Sequence, residues 1–111
     1  MASVVKAGLS GISSGSGAGL TASTTVATIH VVPTTALLYD EVWIYAANTT
    51  TASVNLTVGW PGANITVSVP GSQGLLLVVP GLVATSTSTI TATAAANSSI
   101  NVFGFVNRIQ Q

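Results

Sequence analysis

The chain is almost without charge. Of its 111 residues only Lys6, Asp40, Glu41 and Arg108 are formally ionised, 4% of the sequence, where an ordinary soluble domain carries about 25%. The formal net charge is zero, and the two basic residues sit near opposite ends. Clustered Lys and Arg that could neutralise phosphates are missing, which argues against a nucleic-acid partner. A polybasic membrane patch is missing for the same reason. Net charge also keeps proteins soluble and apart. A free monomer this poor in charge is weakly protected, so we expect much of its surface to be covered by copies of itself or by a larger assembly.

Cysteine is absent as well. No disulfide staple and no thiolate metal site can form. No run reaches the roughly 18 apolar residues of a membrane helix; the longest candidate, Leu75 to Val79, ends at Pro80-Gly81. The opening Met-Ala-Ser-Val-Val-Lys holds no apolar stretch of signal-peptide length, and synthesis in a reducing cytoplasm is the expectation.

Catalytic chemistry is equally sparse. His30 is the sole histidine, and we expect it to be partly exposed or hydrogen-bonded at an interface. A triad would need it beside a serine and a carboxylate. Asp40 and Glu41 are adjacent in a predicted strand, point to opposite faces, and cannot form the facing pair of a glycosidase. These residues make a poor transition-metal site. We therefore expect no enzyme, no cofactor and no metal. Gly15-Ser16-Gly17-Ala18-Gly19 has neither the preceding strand nor the following Lys of a phosphate loop and reads as linker. Four Asn-x-Ser/Thr sequons begin at Asn48, Asn55, Asn64 and Asn97; turn chemistry accounts for them.

Serine and threonine are abundant, about a quarter of the chain, and 48% is hydrophobic. From Thr24 onward Thr, Val and Ile dominate, and their branched Cβ suits a pleated surface. Turn signals recur at Pro33, Asn48, Pro61-Gly62, Pro70-Gly71, Pro80-Gly81 and Asn97. Strands are predicted near 24–32, 37–47, 52–59, 63–69, 74–79, 86–95 and 99–109. The fold class is all-β: a single antiparallel β-sandwich over 23–111, preceded by an extended N-terminal arm and Gly/Ser linker over 1–22. Val4, Val5, Leu9 and Ile12 in that arm are expected to seek a partner surface.

Alternation assigns the faces. Val54, Leu56 and Val58 face in, as do Ile65, Val67 and Val69, with polar residues outward. Leu75 to Val79 is apolar on both faces and is expected to be central or covered by a neighbouring chain. The strand 37–47 sets Leu38, Asp40, Val42, Ile44 and Ala46 against Tyr39, Glu41, Trp43 and Tyr45. Aromatic residues with polar tips are enriched in interfaces, so Tyr39, Trp43 and Tyr45 are candidate contact residues. Asp40 among apolar neighbours needs a partner, and we expect Asp40 or Glu41 to pair with Arg108.

The segments Val26-Ala27-Thr28-Ile29-His30-Val31-Val32-Pro33, Ala36 to Thr49, and Ala52-Ser53-Val54-Asn55-Leu56-Thr57-Val58 together resemble a pattern in small bacteriophage virion proteins. In these a strand ending in Val-Pro leads to a long strand ending in Asn-Thr and then to alternating valines. The resemblance covers about residues 24–109. It implies a jelly-roll-like sandwich located in the virion, a capsid decoration or cement subunit bound to a major capsid protein and to itself, with a trimer as the implied oligomer. Trp43 and Tyr45 stand where that family has polar residues, and the family carries more charge. A neck, tail or fibre component is the alternative reading. A carbohydrate-binding module is a further one: Tyr39, Trp43, Tyr45 and Trp60 could stack on sugars, but the predicted face supplies only Glu41 as a polar partner. Self-assembly into a β-fibre is the last, opposed by the regular prolines.

Overall fold

A computed structural model describes residues 3–12, 17–34 and 37–110. Nine strands form two antiparallel sheets with no helix among the described residues. They are β1 (Ser3–Gly8), β2 (Leu20–Ala22), β3 (Ala27–Val31), β4 (Leu38–Asn48), β5 (Val54–Trp60), β6 (Ala63–Val69), β7 (Leu75–Thr85), β8 (Thr89–Ala94) and β9 (Ile100–Gln110). The first sheet has the order β1-β9-β4-β7, with β2 also on β9; the second has the order β3-β8-β5-β6. The pairs nest: β5 with β6, β4 with β7, β3 with β8, β1 and β2 with β9. A long hairpin with its tip at β5–β6 has rolled up, so that successive pairs fall in alternate sheets. The architecture is a β-sandwich of jelly-roll topology.

The seven predicted strands are present with shifted ends, but three features depart from expectation. Residues 3–8 are not an arm set apart from the sandwich. They pair along β9 from Ser3↔Gln110 to Gly8↔Phe105, and β2 continues the same edge from Leu20↔Val102. Leu9 and Ile12 plug the core between the sheets, at 2% and 3% exposure. Leu9 fits because Gly104 has no side chain: a Cβ there would strike the Trp43 carbonyl and the Leu9 methyl. The partner that these residues seek is therefore their own chain. Gly15-Ser16 of the supposed linker lies outside the described residues.

Second, β7 runs on past Pro80 to Thr85, with register shifts opposite Val42/Trp43 and Ile44/Tyr45. It is an edge strand, not a central one. Third, a bulge in β3 between Thr28 and His30 breaks the alternation. Ile29 and His30, neighbours in sequence, are both fully buried, which a regular strand forbids.

The core follows from alternation elsewhere. Strand β4 buries every second residue, Leu38 to Asn48, and half-buries those between. Val42, Ile44 and Ala46 meet Leu56 and Val58 of β5, Ile90 and Ala92 of β8, and Val102 and Val106 of β9 in one cluster. Burying each large aliphatic side chain contributes about 1.5–3 kcal/mol. Asn48 ends β4 without leaving a polar atom unpaired. Its amide donates to the Ala52 and Val69 carbonyls, and its Oδ1 accepts from the Thr50 N–H and hydroxyl.

Candidate functional site

Two groups of side chains stand out, one inside the sandwich and one on its surface. The inner group spans the two sheets. Asp40 of β4 and His30 of β3 are both fully buried. His30 Nε2 lies 2.7 Å from Asp40 Oδ2. Arg108, the register partner of Asp40 on β9, grips the same carboxylate with two donors, Nε to Oδ1 and Nη2 to Oδ2, each at 2.9 Å. On the far side of the ring, Nδ1 accepts the Ser10 backbone N–H at 3.1 Å. That bond fixes the tautomer: Nδ1 carries no proton, and Nε2–H donates to Asp40.

A serine, a histidine and an aspartate are thus in line, since Ser10 Oγ is 3.3 Å from Nδ1. The geometry does not make a nucleophile. The Nδ1 lone pair that would take a serine proton is occupied by a backbone N–H. Ser10 Oγ is itself an acceptor for the Val31 N–H at 2.9 Å. The imidazole and the carboxylate are sealed from solvent, and no concave pocket opens among the described residues. The group is a clamp that ties both sheets and the segment after β1 together. Burial pushes the Asp40 carboxyl up; the bonds from Arg108 and then His30 outweigh it and hold the group below the usual carboxylate range. The same contact raises Arg108. His30 is therefore neither exposed nor at a surface, contrary to expectation, and Glu41 does not share Arg108.

The outer group covers the exposed face of the first sheet. Register sets it out in rows across β1, β9 and β4. Val4, Ile109 and Tyr39 form one row; Lys6, Asn107 and Glu41 the next; Gly8, Phe105 and Trp43 the third; Phe103 and Tyr45 the fourth. Tyr39, Trp43, Tyr45, Phe103 and Phe105 are all half-buried, so each ring shows part of its surface to water. Trp43 and Phe105 lie nearly parallel, 9° apart with centroids at 6.1 Å. The Lys6 ammonium stands 4.6 Å from the Phe105 centroid, within cation–π range. Trp43 leans over β7 at Gly81, whose φ of 80° and missing side chain make room for the indole; a Cβ there would lie 2.8 Å from Cζ2.

Glu41 organises the polar row. Its Oε1 accepts the Trp43 indole N–H at 2.8 Å and the Asn107 amide at 3.0 Å. These bonds, Asn107 first, lower its pKa against a smaller opposing effect of burial. Among the described residues Glu41 Oε2, Asn107 Oδ1 and Lys6 Nζ have no protein hydrogen-bond partner. The face therefore offers unspent acceptors between aromatic rings, beside the Lys6 ammonium that rests on Phe105.

Of the residues singled out in the sequence, Tyr39, Trp43 and Tyr45 share this face, joined at its edge by the exposed Val4. Val5 is exposed on the alternate side of β1, and Leu9 and Ile12 belong to the core. Trp60 ends β5 in the other sheet and packs against the core, so it is not part of the aromatic group. Sequence reasoning missed Lys6, Phe103, Phe105 and Asn107. The signal was present, because alternation in 99–109 puts Phe103, Phe105 and Asn107 on one face. Only the β9–β4 register sets them beside Glu41 and Trp43.

No protein-family model matches the chain, and no curated protein matches it. Among solved structures it is similar to an exo-β-1,3-galactanase from Phanerochaete chrysosporium determined with galactose, at 24% identity and a TM-score of 0.51. The match covers 95% of this chain and 26% of the galactanase chain, so this chain spans about a quarter of that protein's length. The likeness is one of fold. It runs to a carbohydrate-active protein, and on that finding the reading of the chain as a capsid decoration or cement subunit, or as a neck, tail or fibre part, is corrected.

Proposed function

We propose that this chain is a non-catalytic carbohydrate-binding module that holds a polysaccharide against the outer face of its first sheet. One observation carries the reading: the row Lys6–Asn107–Glu41 runs between the Trp43–Phe105 rings and Tyr39, with polar atoms left unspent. Sugars present apolar C–H faces that stack on aromatic rings and hydroxyls that need donors and acceptors at the rim, and such sites combine apolar walls with a few placed polar groups. The objection from the sequence was that Glu41 stood alone among the rings. Asn107 and Lys6 remove it.

The face is open and without a pocket, which suits the flank of an extended chain better than a buried chain end. The fold likeness to a galactanase solved with galactose makes β-1,3-linked galactan the first ligand to try. Folds host many functions, and it is the residues of the face that support the reading.

Calorimetric titration with β-1,3-galactan oligosaccharides and a general glycan array test it. Wild type is expected to bind with a stacking signature. Trp43→Ala and Phe105→Ala should each weaken binding at least tenfold while leaving the far-UV spectrum unchanged. Wild type that binds no glycan, or variants that bind as well as wild type, would overturn the proposal.

A further inference from the structure

An antiparallel sandwich exposes four strand edges, and unpaired edges invite another strand. Three of the four here are charged, short or polar. The β1 edge holds Lys6, one of four charged residues in the chain. The β3 edge is only five residues long and is broken by the Thr28/His30 bulge. The β6 edge exposes only Ala63, Asn64, Thr66 and Ser68 within the strand, none of them large and apolar. The fourth, β7, is interrupted by Pro80 and by two register shifts against β4, but it is eleven residues long, contains no charge, and exposes Leu75 (57%), Leu76, Leu77, Leu82 and Val83 (55%). Leu76 pairs with the fully buried Ala46 and so points to the inter-sheet side, yet 37% of it remains exposed. The opposing sheet does not reach over it.

We infer that β7 is an interface for a second copy of this chain. The two β7 strands run antiparallel about a two-fold axis near Pro80. The axis sets Leu75, Leu76 and Leu77 of each copy beside Leu82 and Val83 of the other, in two symmetric blocks. Pro80 lacks an N–H, and it falls at the axis, where it interrupts the ladder without preventing either block. Such an interface is isologous and closes on itself. Electrostatics favour a copy of the same chain over a charged partner, because two uncharged edges meet with no repulsion and no buried charge to desolvate.

The area sets the strength. A strand of this length spans about 37 Å, and a sheet with its side chains is about 10 Å deep. Each copy therefore buries about 400 Å², about 800 Å² for the pair, below the standard specific interface and in the range of weak, transient contacts. The dimer is reversible and concentration-dependent. Antiparallel addition keeps the outer faces of both copies on the same side, so the two aromatic faces become one surface, and binding to a polymer gains by multivalency. The dimer itself does not depend on the glycan reading.

Sedimentation velocity over a concentration series, without glycan, tests it. Wild type should shift from monomer to dimer with rising concentration. Leu77→Lys and Val83→Lys should each remain monomeric with an unchanged far-UV spectrum, and Val4→Lys on the opposite edge should dimerise like wild type. Should the β7 variants fail to fold, hydrogen exchange on wild type decides: the outward amides of β7 should gain protection as concentration rises. A wild type that stays monomeric throughout, β7 variants that still dimerise, loss of the dimer in Val4→Lys, or β7 amides whose protection ignores concentration would each overturn the inference.

Discussion

His30 of one sheet donates its Nε2–H to Asp40 of the other across 2.7 Å, and both side chains are wholly buried. Arg108 neutralises the carboxylate from the neighbouring strand, and the Ser10 N–H closes the far side of the ring. No buried side-chain nitrogen or oxygen among the described residues lacks a partner. That completeness matters because a half-satisfied buried network costs more than an apolar core.

Asp40→Asn should therefore be strongly destabilising. It removes the charge that faces Arg108 and sets an amide NH2 against at least one of the three N–H donors that the carboxylate accepts, His30 Nε2, Arg108 Nε and Arg108 Nη2. Breaking one side of a buried pair costs about 3–5 kcal/mol. Arg108→Met should cost at least as much, because it leaves the fully buried Asp40 carboxylate with only the His30 N–H against its charge, whereas Asp40→Asn leaves an arginine side chain that is 28% exposed to water. Urea denaturation checks both; equal midpoints for wild type and Asp40→Asn would remove the clamp from the stability account.

Acid should unfold the protein through the same residue. The folded-state pKa of Asp40 lies below its ordinary value, which is about 3.9 in an unfolded chain. The stability it contributes is thus complete above that unfolded value and is lost as pH falls through the lower folded one. The denaturation midpoint should hold steady near neutrality and fall below about pH 4. In Asp40→Asn that acid slope should flatten. A slope unchanged by the substitution would place the acid sensitivity elsewhere.

Gly81→Ala should disturb the outer face. The residue sits at φ 80° with the Trp43 indole against it. An L-residue in that conformation costs about 1–2 kcal/mol, and the new methyl displaces the ring. In a Trp60→Phe background, Trp43 emission should shift to the red and the melting temperature should fall. An unshifted spectrum would mean that the indole does not rest on β7.

The N-terminal segment separates core from surface. Leu9→Ala and Ile12→Ala should each cost about 2–5 kcal/mol, the range for emptying a buried aliphatic site. Val4→Ala and Val5→Ala, on exposed positions of β1, should stay within about 0.5 kcal/mol of wild type. Thermal denaturation of the four variants checks this. Equal small effects would make residues 3–12 an appendage after all.

Much of the fold was legible in order. Alternation in β4 assigned Leu38, Asp40, Val42, Ile44 and Ala46 to one face and Tyr39, Glu41, Trp43 and Tyr45 to the other, and the burial pattern follows the same division. The β3 bulge was not legible, because one inserted residue flips every side chain beyond it and leaves no mark in composition. Nor was β1. Its Ser3–Gly8 sequence has little strand signal of its own and is held by eleven-residue β9. The extension of β7 past Pro80 was hidden because a proline and a glycine read as a turn, although at a sheet edge both are tolerated.

By itself the sequence determined where seven of the nine strands lie, which way most of their side chains point, and how little charge the surface can carry. These are local properties, set by branching at Cβ and by a two-residue repeat. Tertiary structure decided everything that depends on which strands become neighbours. It set Asn107 and Lys6 beside Glu41, brought Arg108 and His30 to one carboxylate, and left β7 at an edge. Those contacts join residues far apart in the chain, and their register is chosen only when the whole hairpin rolls and the two sheets close over a common core.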